Sequence, residues 1–252
     1  MVLLLFKINS MFWKRKKNAN EVIKGIMPIP TNAADKRYSA LFSMDGQPGK
    51  PTGNLITLGL SCASRALTID LRAISAKIDA KCTNYIDIYP GEHYKLLAAF
   101  VEQLKPSVIV ELGTHLGYSA LCMKQYLPPG GTVYTFDVIP WNKFEDTILT
   151  ERDFGSGLVQ FTDDLTLPDN VTKHQPILEE ADIVFMDALK DGKQEYLFLE
   201  NLSKIKFKKK CYFIFDDIRL WNMLDIWYNM DKPKLDLTSF GHWSGTGLVE
   251  WN

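Results

Sequence analysis

The sequence predicts a doubly wound α/β fold: a seven-stranded, mostly parallel sheet covered by helices on both faces, closed by an antiparallel C-terminal hairpin and preceded by an N-terminal helical extension. Three observations carry this. Downstream of residue 106, short apolar runs alternate with segments long enough to hold helices. The first run leads directly into a glycine-bearing turn, Glu111-Leu-Gly-Thr-His-Leu-Gly-Tyr-Ser119. The chain ends on two strand-like stretches joined by Gly241-His-Trp-Ser-Gly-Thr-Gly247, a short glycine-rich connection that only antiparallel neighbours can use.

Taken in order, residues 1–55 read as an arm, because Pro28, Pro30, Pro48 and Pro51 interrupt any long helix. Residues 56–105 read as a helical cap. Leu60, Leu67, Leu71, Ile74 and Ile78 recur at helical spacing, and a further helix runs from Glu92 to Leu104, ending before Pro106. Residues 106–252 form the core, with strands expected at Val108–Leu112, Val133–Val138, Leu158–Phe161, Ile183–Met186 and Tyr212–Phe215. Their continuous apolar character suits parallel strands buried on both faces. The hairpin strands are expected over Lys234–Phe240 and Leu248–Trp251.

A composition of 46% hydrophobic and 23% charged residues, with a formal net charge of -1, gives no global attraction to nucleic acid or an anionic membrane. The basic run Lys206–Lys210 reads as a solvated loop, and Phe12-Trp-Lys-Arg-Lys-Lys17 as a solvated leader. Cys62, Cys82, Cys122 and Cys211 are scattered without a metal-ligand spacing, as expected for reduced thiols in a cytoplasmic protein. No apolar stretch approaches the roughly 20 residues of a membrane span. The expected partner is a small-molecule or saccharide substrate, with a homodimer left open.

Chemistry-bearing residues cluster at predicted strand ends, where open α/β sheets bind ligands. Gly113 and Gly117 let backbone approach a ligand closely, and Asp137, ending the second strand, is placed to accept hydrogen bonds from ribose hydroxyls. Asp187 ends the fourth strand and Asp216-Asp217 the fifth. Three such acids repel one another unless a cation neutralises them, and oxygen donors suit a hard divalent ion.

The pattern Glu111-x-Gly113-Thr114-x-x-Gly117-Tyr-Ser119, with Asp137, Phe185-Met-Asp-Ala-Leu-Lys-Asp191 and Phe215-Asp-Asp217, resembles class I S-adenosylmethionine-dependent O-methyltransferases, specifically the metal-dependent catechol and caffeoyl-CoA branch. The resemblance covers roughly residues 86–252 and implies a Rossmann-like methyltransferase fold. It implies that Glu111, Gly113, Thr114, Gly117 and Ser119 shape the cofactor pocket, with Ser119 on the cofactor carboxylate. Asp137 would take the ribose, Asp163 would lie near the adenine, and Asp187 would border both cofactor and metal. Asp187, Asp216 and Asp217 would coordinate Mg²⁺ or another divalent cation. Lys190 would be the general base, burial and a neighbouring cation lowering its pKa.

Arg219, Trp221, His242 and Trp243 are candidate acceptor contacts, Arg219 being alternatively a salt-bridge partner of Asp217. The catechol branch often carries Asp-Asn where this chain has Asp216-Asp217, whereas bacterial sugar O-methyltransferases resemble it in the Asp-Asp pair. The acceptor is therefore expected to be a catechol-like diol or a sugar hydroxyl. Two other classes remain: a nicotinamide-dependent oxidoreductase, against which the turn lacks Gly-x-Gly-x-x-Gly, and a catalytically silent binding protein on the same scaffold.

Overall fold

Seven strands build the sheet: β1 (Val108–Leu112), β2 (Thr132–Phe136), β3 (Leu158–Phe161), β4 (Ile183–Met186), β5 (Tyr212–Asp216), β6 (Lys234–Asp236) and β7 (Thr246–Glu250). Their lateral order is β3-β2-β1-β4-β5-β7-β6. β1 to β5 run parallel, while β7 pairs antiparallel with both β5 and β6. The computed structural model describes residues 48–80, 82–88, 93–241 and 243–252, all within one compact unit, Leu41–Asn252. The N-terminal arm up to residue 47, the Pro90-Gly91-Glu92 stretch and His242 lie outside the described residues.

Helices α1 (Gly53–Ala66), α2 (Arg72–Ser75), α3 (Tyr94–Leu104) and α4 (Tyr118–Gln125) cover one face, and α5 (Pro168–Glu179), α6 (Gln194–Ser203) and α7 (Trp221–Asn229) the other. The strands supply alternate residues to the two cores. Ile109, Ile183, Phe185 and Ile214 face the first helix layer, and Val110, Val184, Phe213 and Phe215 the second. Each such side chain is worth about 1.5–3 kcal/mol when fully buried, which is why these strands need continuous apolar runs. Among the described residues no helix is long and apolar enough to cross a membrane.

Several boundaries differ from the sequence reading, each for a local reason. Leu60 and Leu67, assigned to a buried stripe, are 52% and 61% exposed. The first helix instead buries Leu55, Gly59, Cys62, Ala63 and Ala66, small residues that let α1 lie close to its neighbours. A Cβ at Gly59 would press on the Leu235 side chain at 2.5 Å. The penultimate strand stops at Asp236 rather than Phe240. Asp236 Oδ1 accepts hydrogen bonds from the Thr238 amide (2.9 Å) and hydroxyl (2.5 Å), an Asx-type turn that starts a 3-10 turn at Thr238–Phe240. β2 ends before Val138 because the Asp137 carboxylate accepts from the Ile139 amide at 2.9 Å. β7 starts earlier than expected, at Thr246, and ends at Glu250 rather than Trp251.

Candidate active site

The site lies along the carboxyl ends of β2, β1, β4 and β5. On the β1 side the turn is made by backbone. Gly113 has φ 103° and Gly117, the residue preceding α4, has φ 84°, values that side chains rarely tolerate. A Cβ on Gly113 would collide with the carbonyl oxygen of Asp187, and one on Gly117 with the Leu149 side chain. Asp137 braces this turn: its Oδ2 accepts from the amides of Thr114 (3.1 Å) and His115 (3.0 Å). Behind it the buried hydroxyls of Thr114 and Thr135 are 2.7 Å apart.

Glu111 is fully buried on β1. Burial pushes its carboxyl up to about 8, the hydroxyls of Ser119 and Thr135 only partly offsetting that rise. Ser119 is itself buried beside it. In front of the turn lies a cavity of about 410 Å³ whose walls include Gly113, Asp137, Val138, Asp163, Asp187 and Leu189. Asp163 is held from behind by Lys173 (2.8 Å) and by the buried His174, whose Nε2 lies 2.7 Å from Oδ2. These contacts, Lys173 first and then His174, keep its carboxyl below the usual range. The structure thus brings the sequence-predicted cofactor residues Gly113, Asp137, Asp163 and Asp187 to one cavity.

The β4–β5 side is built from charge. Lys190, with φ 59°, is fixed through its backbone: its amide donates to Glu195 Oε1 at 2.7 Å, and its carbonyl accepts from Asn222 at 3.1 Å. Its ammonium contacts the Asp187 carboxylate and lies 3.1 Å from Asp217 Oδ2 and 3.6 Å from Asp216 Oδ2. With no cation beside it, burial pulls the Lys190 pKa down, but Asp187, Asp216 and Asp217 together outweigh burial and hold it above its ordinary value. For Asp187, burial and the Asp216 charge win over Lys190 and His93, and its carboxyl is raised.

Among the described residues a candidate donor set for a metal ion includes a residue outside the predicted acid triad. One ligand atom each from His93, Asp187 and Asp216 lies within 4.8 Å of the others. Asp217, with φ 60°, belongs to the cluster through Lys190 and accepts a hydrogen bond from the Ser244 hydroxyl. Sequence reasoning missed His93, Ser244 and Glu195: none sits in a motif, His93 and Ser244 arrive from segments distant from the acids they meet, and Glu195 acts through the backbone amides of Lys190 and Gly192.

Of the acceptor candidates, Arg219 donates from its guanidinium to Asp236 at 2.6 Å. Trp221 opens α7. Trp243, beside Ser244, is 80% exposed.

These features have counterparts among known proteins. The chain is 30% identical to catechol O-methyltransferase of Mus musculus over 105 residues, 38% of this chain and 37% of that protein. It is 31% identical to catechol O-methyltransferase B of Danio rerio over 107 residues, again 38% and 37%. The chain thus spans little more than a third of the length of these curated relatives. Among solved structures it is similar to an O-methyltransferase from Bacillus cereus in complex with SAH, at 17% identity and TM-score 0.49, covering 75% of this chain and 90% of that one. The sequence model of the O-methyltransferase family matches residues 61–234, a stretch holding the turn, Asp137, the Asp187–Lys190 loop and Asp216-Asp217, and the chain belongs to that family.

Proposed function

We propose that this protein transfers the methyl group of S-adenosylmethionine to a hydroxyl of a small diol acceptor, with a divalent cation assisting. One observation carries the reading: Asp187 is shared between the roughly nucleoside-sized cavity in front of the glycine turn and the carboxylate cluster of β4 and β5. Donor and acceptor would therefore meet on either side of a single residue. The cofactor fits the cavity in front of the turn, where Gly113 presents backbone without a side chain and Asp137 and Asp163 line the wall for ribose and adenine.

A cation fits the donor set, since carboxylate oxygens from adjacent strand ends suit a hard ion. Asp187 and Asp216 would hold it, with Asp217 alongside, and when bound it would lower the pKa of the acceptor hydroxyl and fix its position. In the transfer itself the acceptor oxygen attacks the sulfonium methyl. The S–CH₃ bond breaks as the O–CH₃ bond forms, leaving a methyl ether, a thioether and one proton, which passes from the acceptor hydroxyl to solvent. Lys190, against Asp187 and close to Asp216 and Asp217, is placed to offset their charge and to offer a donor to an oxygen becoming anionic. Alignment of the two reactants is worth on the order of 7–11 kcal/mol, and the rigid turn and the braced Lys190 loop serve that purpose.

The exposed apolar side chains of Leu189 and Trp243 are sequence neighbours of Lys190 and Ser244, and we take them to favour a flat catechol-like ring over a saccharide. Isotope-labelled S-adenosylmethionine offered with a catechol, with a vicinal sugar diol and with neither tests this. Methyl ether formed only with the catechol supports the reading; transfer only to the sugar overturns the acceptor. Failure to bind S-adenosylhomocysteine in calorimetry overturns the whole.

A further inference from the structure

The residue that sequence reasoning missed changes which ion the cluster should take. His93 enters from the turn before α3 and is 3% exposed. Its ring packs against Tyr94 and Phe185, with centroids 4.4 and 5.5 Å away, which fixes the plane of the imidazole. Its Nδ1 lies 3.2 Å from Asp216 Oδ1. Adjacent ligand atoms on an octahedral ion with bonds of about 2.1 Å lie about 3 Å apart, and opposite ones about 4.2 Å. The His93–Asp216 separation is that of adjacent ligands, and the His93, Asp187 and Asp216 donors all lie within 4.8 Å of one another, so a small closure would bring them onto one ion.

The carboxylates of Asp187, Asp216 and Asp217 gather around the Lys190 ammonium. Imidazole nitrogen suits first-row transition ions, whereas Mg²⁺ prefers an all-oxygen shell.

We infer that His93 is a direct ligand of the cation site, together with Asp187 and Asp216, and that the site takes a first-row transition dication in preference to Mg²⁺. The inference rests on the cation part of the proposed function. Its bland competitor is that His93 merely orients Asp216 as a buried ion-pair partner.

The test uses the full chain and Co²⁺, titrated by calorimetry and visible absorption in the presence of about 50-fold excess Mg²⁺, with S-adenosylhomocysteine affinity measured on the same samples. The wild-type chain should bind Co²⁺ despite the Mg²⁺. His93→Gln should weaken Co²⁺ at least as much as the roughly 10- to 100-fold lost with an outer-sphere partner, shift the Co²⁺ absorption bands, and change Mg²⁺ affinity little. Asp216→Asn should weaken both ions. Preferential binding of Mg²⁺ by the wild type, which needs no variant to observe, overturns the inference. So does unchanged Co²⁺ affinity and absorption in a folded His93→Gln, or an absence of binding by either ion. Loss of S-adenosylhomocysteine binding alone, with His93-dependent Co²⁺ binding intact, overturns the methyltransferase reading and leaves the metal inference standing.

Discussion

The two flanks of the site are assembled by opposite means. On the β1–β2 flank, contacts are short-range: the Glu111–Ser119 turn is held by Asp137 through the amides of Thr114 and His115, and glycines at positive φ make the curve. On the β4–β5 flank, His93, Lys190, Asp216, Asp217 and Ser244 arrive from four segments and are held by side-chain charge. A turn held by short-range hydrogen bonds keeps its shape as salt changes. A pocket held by charge responds to the ion it contains. The cofactor flank should therefore behave as a fixed part and the acidic flank as an adjustable one.

The sharpest way to separate the flanks is Asp216→Asn. Turnover should fall on the order of 1,000-fold, the worth of several kcal/mol of metal-assisted stabilisation, while S-adenosylhomocysteine affinity measured by calorimetry stays within about threefold. Comparable losses in both quantities would show that the flanks are not separable.

Gly113→Ala should do the reverse and then more, because that glycine touches the Asp187 carbonyl. A strained backbone costs about 1–3 kcal/mol, so thermal unfolding should drop several degrees and cofactor affinity fall about 100-fold. Unchanged stability would remove the proposed junction between the flanks.

Glu111 tests the buried floor of the fixed flank. Its carboxyl holds a proton up to about 8 in the folded chain, against 4.5 ordinarily, so the folded state binds more protons between those values. Stability should therefore fall as pH rises from 5 to 8, by about 3 kcal/mol. Glu111→Gln should flatten that slope in denaturant titrations at the two pH values; an unaltered slope would place the loss elsewhere.

Asp137→Ala removes an acceptor from amides. Cofactor affinity should weaken about 10- to 100-fold, as for loss of a hydrogen bond to a charged group, with the maximal rate at saturating cofactor nearly unchanged. The mildest change is Ser244→Ala, which removes a donor to Asp217. A several-fold rise in acceptor KM is expected, of the size of one neutral hydrogen bond, with cofactor affinity untouched.

The same contrast explains what could be read from the chain. The five parallel strands were legible because burial on both faces forces unbroken apolar runs, and the cofactor turn was legible because its constraints fall within a few consecutive residues. The helix α1 was read on the wrong face: large residues such as Leu60 drew the stripe, while close helix packing uses Gly59, Ala63 and Ala66. Asp187, Asp216 and Asp217 were legible as strand-end acids. Their partners were not, because His93 and Ser244 meet them only through folding, and the direction of the Lys190 pKa depends on three carboxylates summed in space.

The pairing of β4 with β5 has a further consequence. Met186 is in register with Phe215, so the next residues on each strand, Asp187 and Asp216, stand side by side on adjacent rungs of the sheet. The distance between their backbones is then a lattice constant, about 4.8 Å, that no rotamer or loop can stretch. Loops around the rim can be rewritten for new acceptors while the gauge at the centre keeps its spacing.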